Sequence, residues 1–153
     1  MTIDIELQIA SYTKTLPHPI QFKNWALATL HDQNIVIADL TIRIVDKQEM
    51  QLLNKQFRAI DKPTNVLTFP YEPMPGIQSS TLGDIVICAD VVEYEAAQCQ
   101  KDYLAHWAHM VIHGCLHLLE FDHIDSADAD IMETLEIKLL TTLGFNNPYA
   151  ANK

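Results

Sequence analysis

The spacing of apolar residues predicts alternating strands and helices in the first half of the chain. The opening, TIDIELQIA, alternates polar and apolar residues with a period of two, which is typical of a half-buried strand. The next segment, IQFKNWALATLHDQ, has helical spacing, and IVIADLTIRIV contains a second strand. The side of the predicted helix that would be buried carries Phe22, Trp25, Ala26 and Leu30.

A second helix is predicted over KQEMQLLNKQFRA. Asp46 stands at the N-cap position and Glu49 follows three residues later, which is the spacing of a capping box. Met50, Leu53 and Phe57 would form the apolar stripe of this helix. Two further strands, VLTFP and DIVICAD, follow, and the continuous apolar run of the latter favours a central position in a sheet.

The second half of the chain is predicted to be helical. ADVVEYEAAQCQ and DYLAHWAHMVIHGCLHLLEF are helical segments, and the second has few polar residues except histidine. In SADADIMETLEIKLLTTLG, Ser126 is the predicted N-cap and Gly144 the stop, with Ile131, Leu135, Leu139 and Leu143 on one side. This order predicts an α+β fold in which helices cover one mixed sheet of about four strands and a histidine-bearing helix is central.

Size and composition indicate one domain spanning residues 1–153. The hydrophobic share of 48% and the charged share of 20% are typical of a soluble globular protein, and no apolar run is long enough for a membrane helix. Because Asp4 and Glu6 stand where a secretory signal would be basic and then apolar, we expect a cytoplasmic location. The three cysteines, Cys88, Cys99 and Cys115, lack paired spacing, so we expect reduced and buried thiols.

The net charge of -10 argues against nonspecific binding to nucleic acid. Five of the ten basic residues nevertheless fall between positions 43 and 62, against three acids there. These basic residues are Arg43, Lys47, Lys55, Arg58 and Lys62. Such a local basic window would favour a restricted contact with a phosphate chain, and a solvated helix face is the alternative.

Three histidines in HGCLHLLEFDH have the spacing of an open zinc site. His113 and His117 are one helical turn apart, so their imidazoles share a face and can bind one ion. His123 can join them only if the helix ends and the chain turns back near Glu120. Three histidines leave a fourth zinc position for water, as in catalytic sites. The pattern therefore indicates a hydrolase, and a row of neutral, hydrogen-bonded core histidines is the alternative.

The metzincin proteases share this ligand spacing and place a glutamate directly after the first histidine as the general base. Here that position is Gly114, so a peptidase is the weaker inference. Their helix-ending glycine is replaced by Glu120, where a positive φ costs a side chain roughly 1 kcal/mol. His106 and His109 carry no separate spacing signal, and we expect them to be structural or to support the metal ligands.

The chain resembles the YbeY endoribonucleases, single-domain zinc proteins that take part in the maturation of ribosomal RNA and in ribosome quality control. The resemblance rests on LNKQFRAIDKPTNVLTFP, LGDIVIC and HGCLHLLEFDH, which are three blocks in the expected order. It implies a zinc ion held by His113, His117, His123 and one water, with His113 and Arg58 as catalytic residues. It also implies single-stranded RNA and the ribosome or its proteins as partners, and neither DNA nor a membrane is expected.

The chain departs from the family pattern at a few positions. Asn65 stands where the family has aspartate, Thr68 where it has serine, and Glu120-Phe121 where it has Gly-Tyr. None of these changes removes a predicted metal ligand. A noncatalytic, zinc-binding ribosome-assembly factor and a zinc peptidase stay open as alternative functions.

Overall fold

The strands and helices lie close to the segments that the apolar spacing predicts. A computed structural model of the protein describes residues 2–121 and 126–149. In that part of the chain the elements are β1 (Ile3–Ala10), α1 (Pro19–Asp32), β2 (Ala38–Val45), α2 (Lys47–Arg58), β3 (Val66–Pro70), β4 (Thr81–Cys88), α3 (Ala89–Gln98), α4 (Tyr103–Leu118) and α5 (Ser126–Thr142). The order of strands and helices confirms the α+β prediction.

The four strands form one mixed sheet in the order β1-β2-β4-β3. β1 pairs with β2 and β2 with β4 in parallel, whereas β3 pairs antiparallel with β4. The predicted central position of the apolar strand is confirmed, because β4 lies between β2 and β3. β3 is an edge strand, and its other edge has no strand beside it in the described residues.

The sheet separates a large core from a small one. On one face Ile85 and Ile87 of β4 pack with residues of α1, α4 and α5, including the fully buried Trp107. On the other face Val86 and Leu67 pack with Met50 of α2. The alternation of side chains along β3 and β4 therefore places α4 and α2 on opposite faces of the sheet.

The predicted capping box of α2 is wrong. Asp46 is the N-cap residue, but its side chain makes no capping hydrogen bond and instead accepts hydrogen bonds from the Ser11 hydroxyl and from the Tyr12 N–H. Glu49 forms an ion pair with Arg43 at 2.7 Å, and so it is not available to the N-cap backbone. Partners in the segment after β1, for Asp46, and in β2, for Glu49, thus outcompete the local bond that the sequence pattern predicted.

The buried faces of α2 and α5 also differ from the prediction. In α2 the stripe includes the buried Met50, but Phe57 is 56% exposed. In α5, Ile131 is exposed, and the buried positions are Met132, Glu136, Leu139 and Leu140. The helix is rotated from the predicted orientation so that one carboxylate faces the protein interior. Gly144, with φ +94°, ends α5 as predicted, and the Ser126 side chain lies outside the described residues.

The three cysteines differ in burial. Cys88 and Cys115 are buried as predicted, but the prediction is wrong for Cys99, which is exposed because it follows the last turn of α3 at the protein surface. Burial raises the pKa of the Cys115 thiol to about 12. Among the described residues, no helix is long and apolar enough to cross a membrane.

Candidate active site

Helix α4 carries four histidines in a row along one face. His106 and His109 are buried, each with 6% of its surface exposed, whereas His113 and His117 are partly exposed. The ring centroids of His109 and His113 are 6.3 Å apart, and those of His113 and His117 are 4.6 Å apart. The row therefore opens to solvent at the carboxyl-terminal end of the helix, where the two predicted ligands lie.

The structure brings His113 and His117 together through the nitrogens that a shared metal ion would need. Their Nε2 atoms lie 3.1 Å apart. Two ligands of a tetrahedral zinc ion with bonds of about 2.0–2.1 Å are separated by roughly 3.4 Å. The observed spacing is therefore close to that of two ligands of one cation, and the donor set of two imidazoles fits zinc.

Glu136 of α5 fixes the orientation of His113. Its Oε2 atom is 2.6 Å from His113 Nδ1, and its Oε1 atom is 3.2 Å from His109 Nε2. The Tyr149 hydroxyl donates a third hydrogen bond to Oε1. When Nδ1 of His113 carries the proton, Nε2 keeps its lone pair toward His117, which is the tautomer that a metal ligand requires.

The electrostatics of Glu136 favour its ionised form. Burial alone would raise the pKa of this carboxyl, but hydrogen bonds from His109 and His113 outweigh burial and lower the pKa to about 2. Burial raises the pKa of the Tyr149 hydroxyl, and its hydrogen bond to the ionised Glu136 raises that pKa further. Glu136 is therefore a buried, ionised acceptor at neutral pH, fully shielded from solvent.

Among the described residues, two groups of side chains could bind a cation. His109, His113 and Glu136 offer ligand atoms that all lie within 4.8 Å of one another. The hydrogen bonds between these residues already use the same atoms, and Glu136 and His109 are buried. His113 and His117 instead line an open cleft. We therefore interpret Glu136 as a hydrogen-bond partner that orients His113, and not as a metal ligand.

The predicted helix end near Glu120 is confirmed. α4 ends at Leu118, and Glu120 adopts φ +74°, so the left-handed backbone is tolerated by a residue with a side chain. The Glu120 N–H donates to the His117 carbonyl at 3.0 Å and the Phe121 N–H to the Leu116 carbonyl at 3.0 Å, which together form a Schellman motif. His123, the third predicted ligand, lies outside the described residues.

A cleft of about 370 Å³ connects the two histidines to the edge strand. One wall carries His113 and His117, and Arg58 from the last turn of α2 also lines it. The remaining lining comes from consecutive residues at and before β3, which are Thr64, Asn65, Val66, Leu67 and Thr68. Arg58, predicted to face the site, therefore shares one cavity with both described histidines.

The basic window is partly neutralised within the protein. Arg43 pairs with Glu49 at 2.7 Å, and Lys55 lies 3.8 Å from Asp61. Arg58 makes no ion pair with any carboxylate in residues 2–121 and 126–149. Within the described cleft its positive charge is thus available to an anionic ligand.

Asn65, one of the departures from the family pattern, makes polar contacts with Glu95 and with the backbone. Its Nδ2 atom lies 3.2 Å from Glu95 Oε1, and its Oδ1 atom accepts the Val66 N–H at 2.7 Å. His106 contacts the same Glu95 oxygen through Nε2 at 3.0 Å. An aspartate at position 65 could not donate to Glu95, so the amide and this carboxylate suit each other.

Sequence reasoning missed Glu136 and Tyr149. Glu136 occupies the same helix face as Met132 and Leu140, at intervals of four residues, so an acid within an apolar stripe was the available signal. Tyr149 follows the helix and carries no periodic signal. Its contact with Glu136 depends on tertiary structure alone.

Comparisons with known proteins agree with this architecture. The family model described as endoribonuclease YbeY matches residues 6–144. Among solved structures, the chain is similar to the solution structure of TM1509 from Thermotoga maritima, with a TM-score of 0.58 and 22% sequence identity. The match covers 94% of this chain and 99% of that chain, which shows a shared fold.

Proposed function

Since the chain belongs to the endoribonuclease YbeY family, we propose that it is a zinc-dependent endoribonuclease that cleaves single-stranded RNA. On this proposal it acts in rRNA maturation, including 16S rRNA processing, and in ribosome quality control. The observation that carries the proposal is the cleft in which Arg58 faces the same space as His113 and His117. Such a cavity combines a metal-binding pair with a cation that suits phosphate.

His113, His117 and His123 would hold the zinc ion, and the convergence of the first two Nε2 atoms at 3.1 Å supports this assignment. When bound, zinc supplies Lewis-acid polarisation and a water of lowered pKa. The role of Glu136 is to keep the His113 proton on Nδ1, so that the Nε2 lone pair stays directed at the ion. The Tyr149 hydroxyl restrains the same carboxylate by donating a hydrogen bond to Oε1, the oxygen that does not contact His113.

Arg58 would bind and orient the scissile phosphate. A guanidinium has a planar fork that matches two phosphate oxygens, and it stays charged at any working pH. Because no carboxylate of the described residues pairs with it, its charge can offset the charge that develops on the phosphate during cleavage. Arg58 and His113 are therefore the residues to which we assign catalytic roles.

The cleft favours an unpaired strand. Its volume of about 370 Å³ is of the size that encloses a small ligand or a few groups of a polymer. An extended RNA strand can lie along β3 with its backbone exposed to Arg58 and the histidines. The net charge of -10 opposes binding along a duplex, whereas the local basic window would favour a restricted contact with a phosphate chain, presented by a ribosomal partner in the cytoplasm.

A peptidase is a poorer fit to this site. A Cβ atom at Gly114 would lie 2.6 Å from Ile85 Cγ2, so this position is pressed against β4. A carboxylate there could not act as the general base of a protease without displacing the sheet. Tests of activity should accordingly begin with RNA.

The experiment compares the zinc-loaded parent with His113→Ala and Arg58→Ala on a labelled unpaired RNA. We expect both variants to lose cleavage, by about 100-fold or more for Arg58→Ala, because it removes charge stabilisation at the phosphate. His31→Ala and Lys23→Ala on the exposed surface of α1 are matched controls that should cleave as the parent does.

Equal cleavage by the parent and both site variants would contradict the proposed site. A parent that never cleaves RNA, and that unfolds when zinc is removed, would instead indicate a noncatalytic assembly factor. Metal analysis of the same preparations should give one zinc ion per parent chain and less in His113→Ala.

A further inference from the structure

The last turn of α2 places two neighbouring side chains very differently. Arg58 lines the cleft that contains the two histidines. Phe57, which the apolar spacing assigns to the buried stripe, is instead 56% exposed. An exposed phenylalanine directly before a cleft-lining arginine is a feature that the core of α2 does not explain.

Phe57 is held against the edge strand. Its ring contacts that of Phe69 edge-on, with centroids 5.0 Å apart and an interplanar angle of 70°. Phe69 is only partly buried and directly follows Thr68, which lines the cleft. Both rings are therefore the chain neighbours of cleft-lining residues, one on α2 and one on β3. The edge contact orients the Phe57 ring and leaves more than half of its surface open to solvent.

A fixed, exposed aromatic ring beside a phosphate-binding cation is the combination that binds unpaired nucleotides. Bases from single strands stack on phenylalanine, tyrosine or tryptophan, because every base has a π-face, while cations contact the backbone. We propose that Phe57, supported by Phe69, forms a nucleobase subsite that stacks an unpaired base next to the phosphate held by Arg58. This inference rests on the proposed function, because it assigns a second contact to the same RNA strand.

The surroundings favour a nucleic-acid strand over an apolar protein partner. Phe57 directly precedes the cleft-lining Arg58, which makes no ion pair in the described part of the chain. The other strongly exposed apolar residue of α2, Leu52 at 68%, precedes Phe57 by five positions, which places it well around the helix from that ring. Within α2, Phe57 is therefore the exposed apolar residue nearest in sequence to Arg58. Because a paired base cannot leave its stack to reach the ring, the subsite also gives a reason for single-strand specificity.

The test uses the zinc-loaded protein and three substitutions. Phe57→Leu keeps an apolar side chain against Phe69 but removes the π-face, Phe57→Tyr keeps the π-face, and Leu52→Ala is the control on the other side of α2. The measurements are the unfolding midpoint, and kcat and KM for cleavage of a short labelled unpaired RNA. We expect Phe57→Leu to lower kcat/KM by roughly 5- to 100-fold, mostly through KM, as for loss of one stacked base. Phe57→Tyr and Leu52→Ala should behave as the parent.

A set of RNAs that each carry one abasic nucleotide locates the stacked base. One abasic position near the cleavage site should weaken the parent and have little further effect on Phe57→Leu, because both changes remove the same contact. Unchanged kcat/KM in Phe57→Leu, or abasic effects that add fully to it at every position, would overturn the subsite. Either result with an active parent leaves the endoribonuclease function standing. A parent without activity on any of these RNAs would refute the proposed function, and the subsite with it.

Discussion

Replacing Glu136 with glutamine isolates the charge that orients His113, the proposed metal ligand. The substitution keeps the size of the side chain and an acceptor oxygen, which can still receive the Tyr149 and His109 hydrogen bonds. The other carboxylate oxygen, 2.6 Å from His113 Nδ1, becomes an amide NH₂ group. An amide NH₂ group donates hydrogen bonds but does not accept them. It therefore favours the His113 tautomer in which Nδ1 is unprotonated and Nε2 carries the proton.

The size of the effect follows from this tautomer. Zinc binding through Nε2 requires the proton of His113 to stay on Nδ1. In Glu136→Gln this places the Nδ1–H group against the new amide NH₂ group, so that two hydrogen-bond donors face each other. An unsatisfied buried polar group costs about 1–3 kcal/mol, and about 1.4 kcal/mol corresponds to tenfold in affinity. We therefore expect zinc to bind roughly 5- to 150-fold more weakly, which agrees with the 10- to 100-fold effect of removing a partner behind a metal-ligating histidine.

The assay is a competition between the protein and a chromogenic zinc chelator, followed at neutral pH. Asp130→Asn makes the same change of carboxylate to amide on the exposed face of α5 and should bind zinc as the parent does. Denaturant unfolding of the zinc-free proteins separates a local effect from loss of structure. If folded Glu136→Gln binds zinc as tightly as the parent, Glu136 does not set the His113 tautomer.

Three further predictions concern stability. Glu120→Gly should raise the free energy of unfolding by up to about 1 kcal/mol, because glycine adopts φ +74° without strain, and the gain is reduced by its freedom in the unfolded chain. Denaturant titration checks this, and an equal gain in Glu120→Ala would contradict it. Gly114→Ala should lower the same free energy by about 1–3 kcal/mol, because the new Cβ meets Ile85 Cγ2 at 2.6 Å. No measurable loss would mean that α4 moves away freely. The pKa of Glu95 lies below its ordinary value of 4.5, first because of the His106 hydrogen bond. The stability that the ionised Glu95 contributes is complete above about pH 4.5 and is lost as the pH falls through the lowered pKa. The stability of Glu95→Gln should therefore depend less on acid pH than that of the parent, as measured by melting temperature against pH. Parallel melting curves for the two proteins would contradict this.

The fold could be predicted from the sequence where burial alone decides the pattern. Apolar partners cover β1, α1, β4 and α4. The periodic apolar positions of these elements are therefore the ones that are buried, and the predicted segments agree with the structure. The errors lie where a polar side chain found a distant partner. Asp46 binds the loop after β1, and the inward carboxylate of α5 shifts the buried face of that helix.

The site was predictable as far as its spacing is local. His113 and His117 are one turn apart in the same helix, so their meeting requires only that α4 exists. The role of Arg58 was predicted from the family resemblance, because this residue lies more than fifty residues before His113. It reaches the cleft because α2 is followed by β3, the edge strand that lines the same cleft. The acid within the apolar stripe of α5 marks Glu136 in the sequence, but its contact with His113 depends on how α5 docks, and the contact of Tyr149 depends on the chain after α5.

The uneven burial of the three thiols makes the protein suited to single-site labelling. A maleimide dye reacts with an accessible thiolate, and burial withholds Cys115 and Cys88 from it both sterically and by raising the pKa of each thiol. Cys99, exposed at the end of α3, should therefore take up the dye first in the folded protein. A fluorescent reporter could be attached there without any substitution, outside the residues that line the cleft.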